Sequence, residues 1–298
     1  MSAARVAAQA KVNLFLHVLA REASGFHQIE TLFQRLALAD DVTVRTDVRG
    51  RALDVRGADT GPVEQNLAWR AAEAYAAAAG WPDGFAVEIE KRIPVGGGLG
   101  GGSADAGAVL RLLNHLAPAP LPPARLLELA LPLGADVPFL TGEQPLALAW
   151  GRGERLLELA PLPPRTVGLL LPPVAVPTGE AYGWVAADRG AFTPAARRLS
   201  AAQLADWAGV VALAGNDFEG PVTARVPAVA ALADARSLFA PPLPAGFVPP
   251  IYQMSGSGST WFVLVADHRL KLELSESEAW RTVWTETVDR VAPIEPLT

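Results

Sequence analysis

Between an alternating segment and a helix-periodic one runs Pro94-Val95-Gly96-Gly97-Gly98-Leu99-Gly100-Gly101-Gly102-Ser103-Ala104, eleven residues of which six are glycine. A hydrophobic core has no use for six residues without side chains. A loop has, where the backbone must approach a ligand closely and turn several N–H groups toward it, because only glycine lacks a Cβ and takes φ > 0 freely. Where such a loop enters a helix, the unpaired first N–H groups and the positive end of the helix dipole make a site for an anion. The stretch predicts a strand–loop–helix unit that cradles phosphate rather than a flexible linker.

The composition limits what surrounds that unit. With 298 residues, half of them hydrophobic and 19% charged, the chain has the makings of a large globular core. Its size suggests two domains, and rising proline density over residues 156–164 puts the expected division between 1–156 and 157–298. Apolar runs such as 167–171 are cut by Pro172 and Pro173, far short of a membrane span. Lys11 interrupts before any apolar leader develops, and the absence of cysteine fits a cytoplasmic location. A formal charge of −6 without a dense basic cluster argues against a nucleic-acid surface. Without cysteine there is no disulfide, thiolate metal site or thiol nucleophile, and the four histidines form no H-x-x-x-H zinc pair. Lysine is scarce: Lys11, Lys91 and Lys271 stand alone among arginines.

Periodicity predicts a mixed α+β chain. Val12, Leu14, Leu16 and Val18 alternate with polar positions, so Lys11 and Asn13 share the opposite face of a strand. Further strands are expected at 27–33, 41–45, 52–55 and 85–89, the last leading into the glycine loop. Residues 67–79 read as a helix stopped by Gly80. Ala104, Ala108, Leu112 and Leu116 recur every fourth residue over 103–116, a helix for which Ser103 is the expected N-cap. A proline-rich connector at 118–123 precedes a second helix at 126–131; strands follow at 146–150, 167–171 and 261–265, with a small-residue turn at 255–259.

Three nucleotide loops compete for the glycines. A Walker A loop needs Lys before the Ser, and Gly102 stands there. Gly96, Gly98 and Gly101 satisfy G-x-G-x-x-G, but the preceding strand alternates with Glu88 and Glu90, and proline replaces the acidic ribose ligand due ~20 residues on. The third pattern, P-x-G-x-G-L-G followed by small residues and Ser, is met by Pro94, Gly96, Gly98, Leu99, Gly100 and Ser103. In it the chain resembles the GHMP small-molecule kinases. The segments K-V-N-L-F-L-H-V at 11–18, G-F-H-Q-I-E-T-L-F-Q at 25–34, G-A-D-V-P-F at 134–139 and S-G-S-G-S at 255–259 extend the likeness. They make it similar, within that superfamily, to the kinases of 4-diphosphocytidyl-2-C-methyl-D-erythritol, which act in the non-mevalonate isoprenoid pathway.

The resemblance implies two domains, one like the second domain of ribosomal protein S5 and one ferredoxin-like, with ATP and a small alcohol meeting between them. It implies that loop 94–104 holds the ATP phosphates and that Ser103 touches phosphate or Mg²⁺. Asp136 falls on the family's catalytic carboxylate and Lys11 on its active-site lysine, with Asn13 orienting substrate. Phe26, His27, Thr178 and Tyr182 fall on its cytosine pocket, although Phe26 replaces the usual Tyr. Ala104 and Gly107 also depart from the commoner serine and alanine. Each residue has a plainer reading beside this one. Asp136 fits a helix cap, Lys11 an edge-strand guard, Asn13 a strand-face amide, His27, Thr178 and Tyr182 packing, and Ser255 to Ser259 a hairpin turn. A homoserine- or mevalonate-type kinase, a non-catalytic nucleotide binder and a nicotinamide oxidoreductase remain as rivals.

Overall fold

The computed structural model describes residues 2–189, 199–236, 248–265 and 279–297. Lys271 and His268 lie outside them. Two long strands open the chain, β1 (Ala3–Arg21) and β2 (His27–Arg45), followed by β3 (Arg51–Arg56), helix α1 (Leu67–Ala79), β4 (Phe85–Glu90) and helix α2 (Gly101–Leu116). Helices α3 (Pro123–Ala130) and α4 (Val137–Thr141) lead to the hairpin β5 (Leu146–Gly151) and β6 (Arg155–Glu158). Then come β7 (Thr166–Leu171), α5 (Thr178–Arg189), α6 (Trp207–Leu213), β8 (Gly215–Asn216), α7 (Glu219–Thr223) and α8 (Pro227–Asp234). Strands β9 (Ile251–Met254), β10 (Trp261–Val265), β11 (Arg281–Glu286) and β12 (Glu295–Leu297) finish the chain.

The first sheet has the order β12-β1-β2-β4-β3, with β5 and β6 continuing from β2 and β8 added parallel to β1. Helix α1 makes the crossover between the parallel pair β3 and β4. The two strands expected at 27–33 and 41–45 are one. Register shifts after Gln9, Asn13 and Val18 interrupt the β1–β2 ladder without ending it, and such bulges break the alternation that a sequence reading follows. The second sheet, β11-β7-β10-β9, is antiparallel throughout.

That second sheet is buried on both faces with a period of two. Val167 and Leu169 of β7, with Phe262 and Leu264 of β10, join one apolar cluster with the first sheet and α2. Leu170, Trp261 and Val263 face a second cluster with α5, α7 and α8. Full burial of Phe15, Phe33 or Phe262 contributes about 1.5–3 kcal/mol each, whereas an exposed ion pair contributes about 0–1 kcal/mol. Apolar packing therefore holds the two sheets together. Among the described residues no helix is long and apolar enough to cross a membrane.

Helix α2 carries the expected stripe inward, with Ala104, Ala108, Leu112 and Leu116 all buried. Its start differs from the expectation. Gly100 turns the chain into the helix at φ +73°, so the first turn begins at Gly101 and Ser103 lies within it instead of capping it. The helix expected at 126–131 begins earlier, at Pro123, a residue suited to a first helical position because it lacks the N–H that would go unpaired there.

Candidate active site

The glycine loop is packed between two partners. Gly98 has φ +75°, and a Cβ on it would lie 2.2 Å from the Ser255 carbonyl oxygen. Ser255 Oγ donates to Gly98 O at 3.0 Å, and the Thr260 N–H donates to Gly97 O at 3.3 Å. The small residues at 255–259 are thus more than a hairpin turn: their backbone abuts the loop, which only glycine permits. Asn216 holds that turn in place, its Nδ2 donating to Met254 O at 2.7 Å and Gly256 O at 2.8 Å. On the other side, a Cβ at Gly100 would lie 3.0 Å from Lys11 Cγ.

Lys11 is 2% exposed, paired with Arg35 of β2 on one side and donating its N–H to Leu99 O at 2.9 Å on the other, so the edge-guard reading does not apply. Its ammonium donates to Asn13 Oδ1 at 2.8 Å and Gly98 O at 3.0 Å and lies 3.3 Å from Asp136 Oδ2. Two of its protons are hydrogen-bonded, and the Asp136 carboxylate balances its charge as an ion pair. Asp136 stands at the N-terminal boundary of α4 but makes no capping bond. The helix-cap reading therefore fails in the structure, and the carboxylate faces Lys11 instead. At the far end of α4 the buried Arg35 guanidinium donates to Phe139 O and Gly142 O, each at 2.8 Å. Burial, with Arg111 adding, pulls the Arg35 pKa down to about 9.

A cleft of about 570 Å³ is lined by the glycine loop together with Lys11, Asn13, Ser103 and Asp136. It adjoins a second of about 1110 Å³ that contains Phe26, His27 and Arg152. Ala135, Thr178 and Tyr182 line both. The junction of the two clefts is therefore next to Asp136 in the chain. Tyr182 stacks on His27 at 4.6 Å between centroids and meets the Phe218 ring edge-on. Burial, with Asp136 adding, pushes the Tyr182 phenol up to about 12, while burial and Arg21 lower His27; both rings are neutral at pH 7. Thr178 Oγ1 lies 3.0 Å from Ser257 Oγ, which ties the start of α5 to the 255–259 turn.

Phe26 lines the same cleft as His27 and Tyr182. It is 57% exposed, and the Arg152 guanidinium lies 4.1 Å over its ring, itself held by Glu22. No sequence signal marked Arg152. Asn66 caps α1, accepting from Ala68 N at 2.9 Å, and lines the first cleft. Lys91, noticed only for its rarity, is buried between Asp40 at 2.5 Å and Asp105 at 2.7 Å, directly beneath the loop. Burial works against the Lys91 charge, but Asp105 and Asp40 outweigh it and hold its pKa above the ordinary value.

Residues 66–143 match the family model of the GHMP kinases N terminal domain. The chain is 41% identical to the 4-diphosphocytidyl-2-C-methyl-D-erythritol kinase of Pelotomaculum thermopropionicum, over 87% of this chain and 88% of that one. It is 36% identical to the enzyme of the same name from Geobacter sp. (strain M21), over 97% of this chain and all of the other. The crystal structure of a 4-(cytidine 5'-diphospho)-2C-methyl-D-erythritol kinase superposes with a TM-score of 0.72 at 36% identity, covering 95% of this chain and 98% of that one. Homoserine kinase from Cytophaga hutchinsonii, at 16% identity and a TM-score of 0.65 over 99% of this chain and 98% of that one, has the same fold. The chain belongs to the 4-diphosphocytidyl-2-C-methyl-D-erythritol kinase family and has the two-domain α+β fold of the GHMP kinases.

Proposed function

We propose that this protein transfers the γ-phosphoryl group of ATP to the 2-hydroxyl of 4-diphosphocytidyl-2-C-methyl-D-erythritol, directly and without a phosphoenzyme. The observation that carries the reading is the Lys11–Asp136 pair, 3.3 Å apart, beside the glycine loop and next to the junction of the two clefts. Family membership supports ATP as the donor and a small-molecule acceptor. We read residues 1–156 and 157–298 as the two domains, and the protein as a cytoplasmic enzyme that engages neither nucleic acid nor membrane.

Phosphoryl transfer asks a protein mainly for positioning and charge compensation. The backbone N–H groups of residues 94–104 and the start of α2 cradle the triphosphate. Lys11 offsets negative charge gathering on the transferred group. Asp136, held by Lys11, aligns the substrate hydroxyl and accepts its proton. Tyr182 and His27 form the wall of the base pocket, where a neutral imidazole offers one donor and one acceptor to a neutral pyrimidine edge. Phe26 adds a stacking face, and Thr178 a polar contact.

Among the described residues no group of three or more His, Cys, Asp or Glu is placed to hold a metal. Mg²⁺ would be carried in by the nucleotide, since the ion keeps several waters and takes few protein ligands. Ser103, lining the phosphate cleft, is the residue that would reach it. When bound, the ion would supply positive charge that offsets the charge of the phosphates.

Mass analysis of the product from purified protein, ATP and the cytidyl alcohol tests the proposal: the alcohol should gain one phosphate as ADP appears. CMP and CDP should compete with the alcohol. Turnover of homoserine or mevalonate without competition by cytidine nucleotides would transfer the reading to another kinase of this fold.

A further inference from the structure

We infer that Thr31 is a positioning residue for the phosphoryl transfer: it sets the orientation of the Asn13 amide so that the amide oxygen holds Lys11. This rests on the proposed chemistry of Lys11 and Asp136. Thr31 lies on β2, fully buried and paired with Leu16, just past the register shift between Asn13 and Phe15. Its hydroxyl donates its one proton to Phe15 O at 2.6 Å. Toward Asn13 it therefore acts only as an acceptor. Asn13 Nδ2 donates to Thr31 Oγ1 at 2.8 Å. With the NH₂ end committed there, the amide oxygen is turned the other way, where it accepts from Lys11 Nζ at 2.8 Å. Lys11 in turn lies 3.3 Å from Asp136. Donation runs one way from Lys11 through Asn13 and Thr31 to Phe15 O, while the same ammonium faces Asp136; Thr31 fixes the amide from its NH₂ end and Lys11 from its oxygen end. A flipped amide would put N–H groups against an ammonium.

Thr31→Val keeps the side-chain shape and removes the acceptor. Without that acceptor the Asn13 NH₂ loses its buried partner, and the amide is no longer held at the angle that presents its oxygen to Lys11. Because small displacements of reacting groups are costly in rate, kcat should fall about 10- to 100-fold. The KM for ATP should change by less than about threefold, since the glycine loop itself is unaltered. Thr31→Ser should restore most of the rate.

The decisive experiment is a double-mutant cycle with Asn13→Ala, which removes the group that Thr31 orients. Thr31→Val should cost little or nothing further in that background. Additive losses, or a Thr31→Val enzyme with unchanged kcat, would overturn the inference. Melting temperature and ATP affinity check that each variant is folded; should the valine variant not fold, Thr31→Ala runs the same cycle. Absence of product from the unmodified enzyme would instead overturn the proposed function, so the two failures are distinct.

Discussion

Lys11 shows how one residue gathers a site. Burying an ammonium costs several kcal/mol unless it is hydrogen-bonded and paired, and here β1 and the glycine loop supply hydrogen-bond acceptors while the residue preceding α4 supplies the opposite charge. The Asp136 side chain keeps 28% of its exposure, so it reaches both its buried partner and a ligand in the cleft. Asp136→Asn, which preserves shape and removes the base, should lower kcat by about 10²- to 10⁴-fold with ATP affinity by calorimetry nearly unchanged. An Asn variant retaining turnover within a few-fold would show that the carboxylate is not the proton acceptor.

Among elements, the glycine loop is the one whose composition is tied most tightly to its neighbours. Not every glycine in it is needed for the same reason. At Gly98 a methyl group would meet backbone at 2.2 Å at a positive φ, and backbone cannot swing aside. At Gly102, inside α2, the nearest atom to a new Cβ apart from its chain neighbours and the helix's own backbone is Leu67 Cδ1 at 3.9 Å. Gly98→Ala should therefore displace the loop from the 255–259 turn, reducing ATP affinity and melting temperature together. Gly102→Ala should be accommodated and raise stability by roughly 0.5–1 kcal/mol, the helix preference for alanine. Thermal melts of the two variants side by side check the contrast.

The whole molecule is joined by contacts distant in sequence. Strand β1 pairs with β2, with β12 from the end of the chain and with β8 from its middle. Beneath the glycine loop, Lys91 joins Asp40 of β2 to Asp105 of α2. Burial, opposed by Lys91 and reinforced by Asp40, pushes the Asp105 carboxyl from 3.8 up to about 7. Between those pH values the folded protein binds a proton that the unfolded chain releases. This contribution to stability is fully present below 3.8 and is lost as pH rises through about 7. Asp105→Asn cannot titrate there, so its melting temperature should gain on that of the unaltered protein as pH rises from about 5 to 8. A gap that is flat or moves the other way would exclude the shifted carboxyl.

Much of this was legible before any coordinates. The glycine loop, the stripe of α2 and the Lys11–Asn13 strand face follow from periods of 3.6 and 2 and from what only glycine allows. Composition and local pattern determined the α+β class, the strand–glycine loop–helix unit and most element positions, because these depend on neighbours in sequence. The continuity of β2, the start of α2 at Gly101, the stacking of Arg152 on Phe26 and the links from Thr31 and from Asp40 were decided only by tertiary structure. Bulges shift which side chains share a face, and hydrogen bonds between residues far apart in the chain leave no period in the sequence. Only the folded chain brings Lys11 and Asp136 within 3.3 Å of one another.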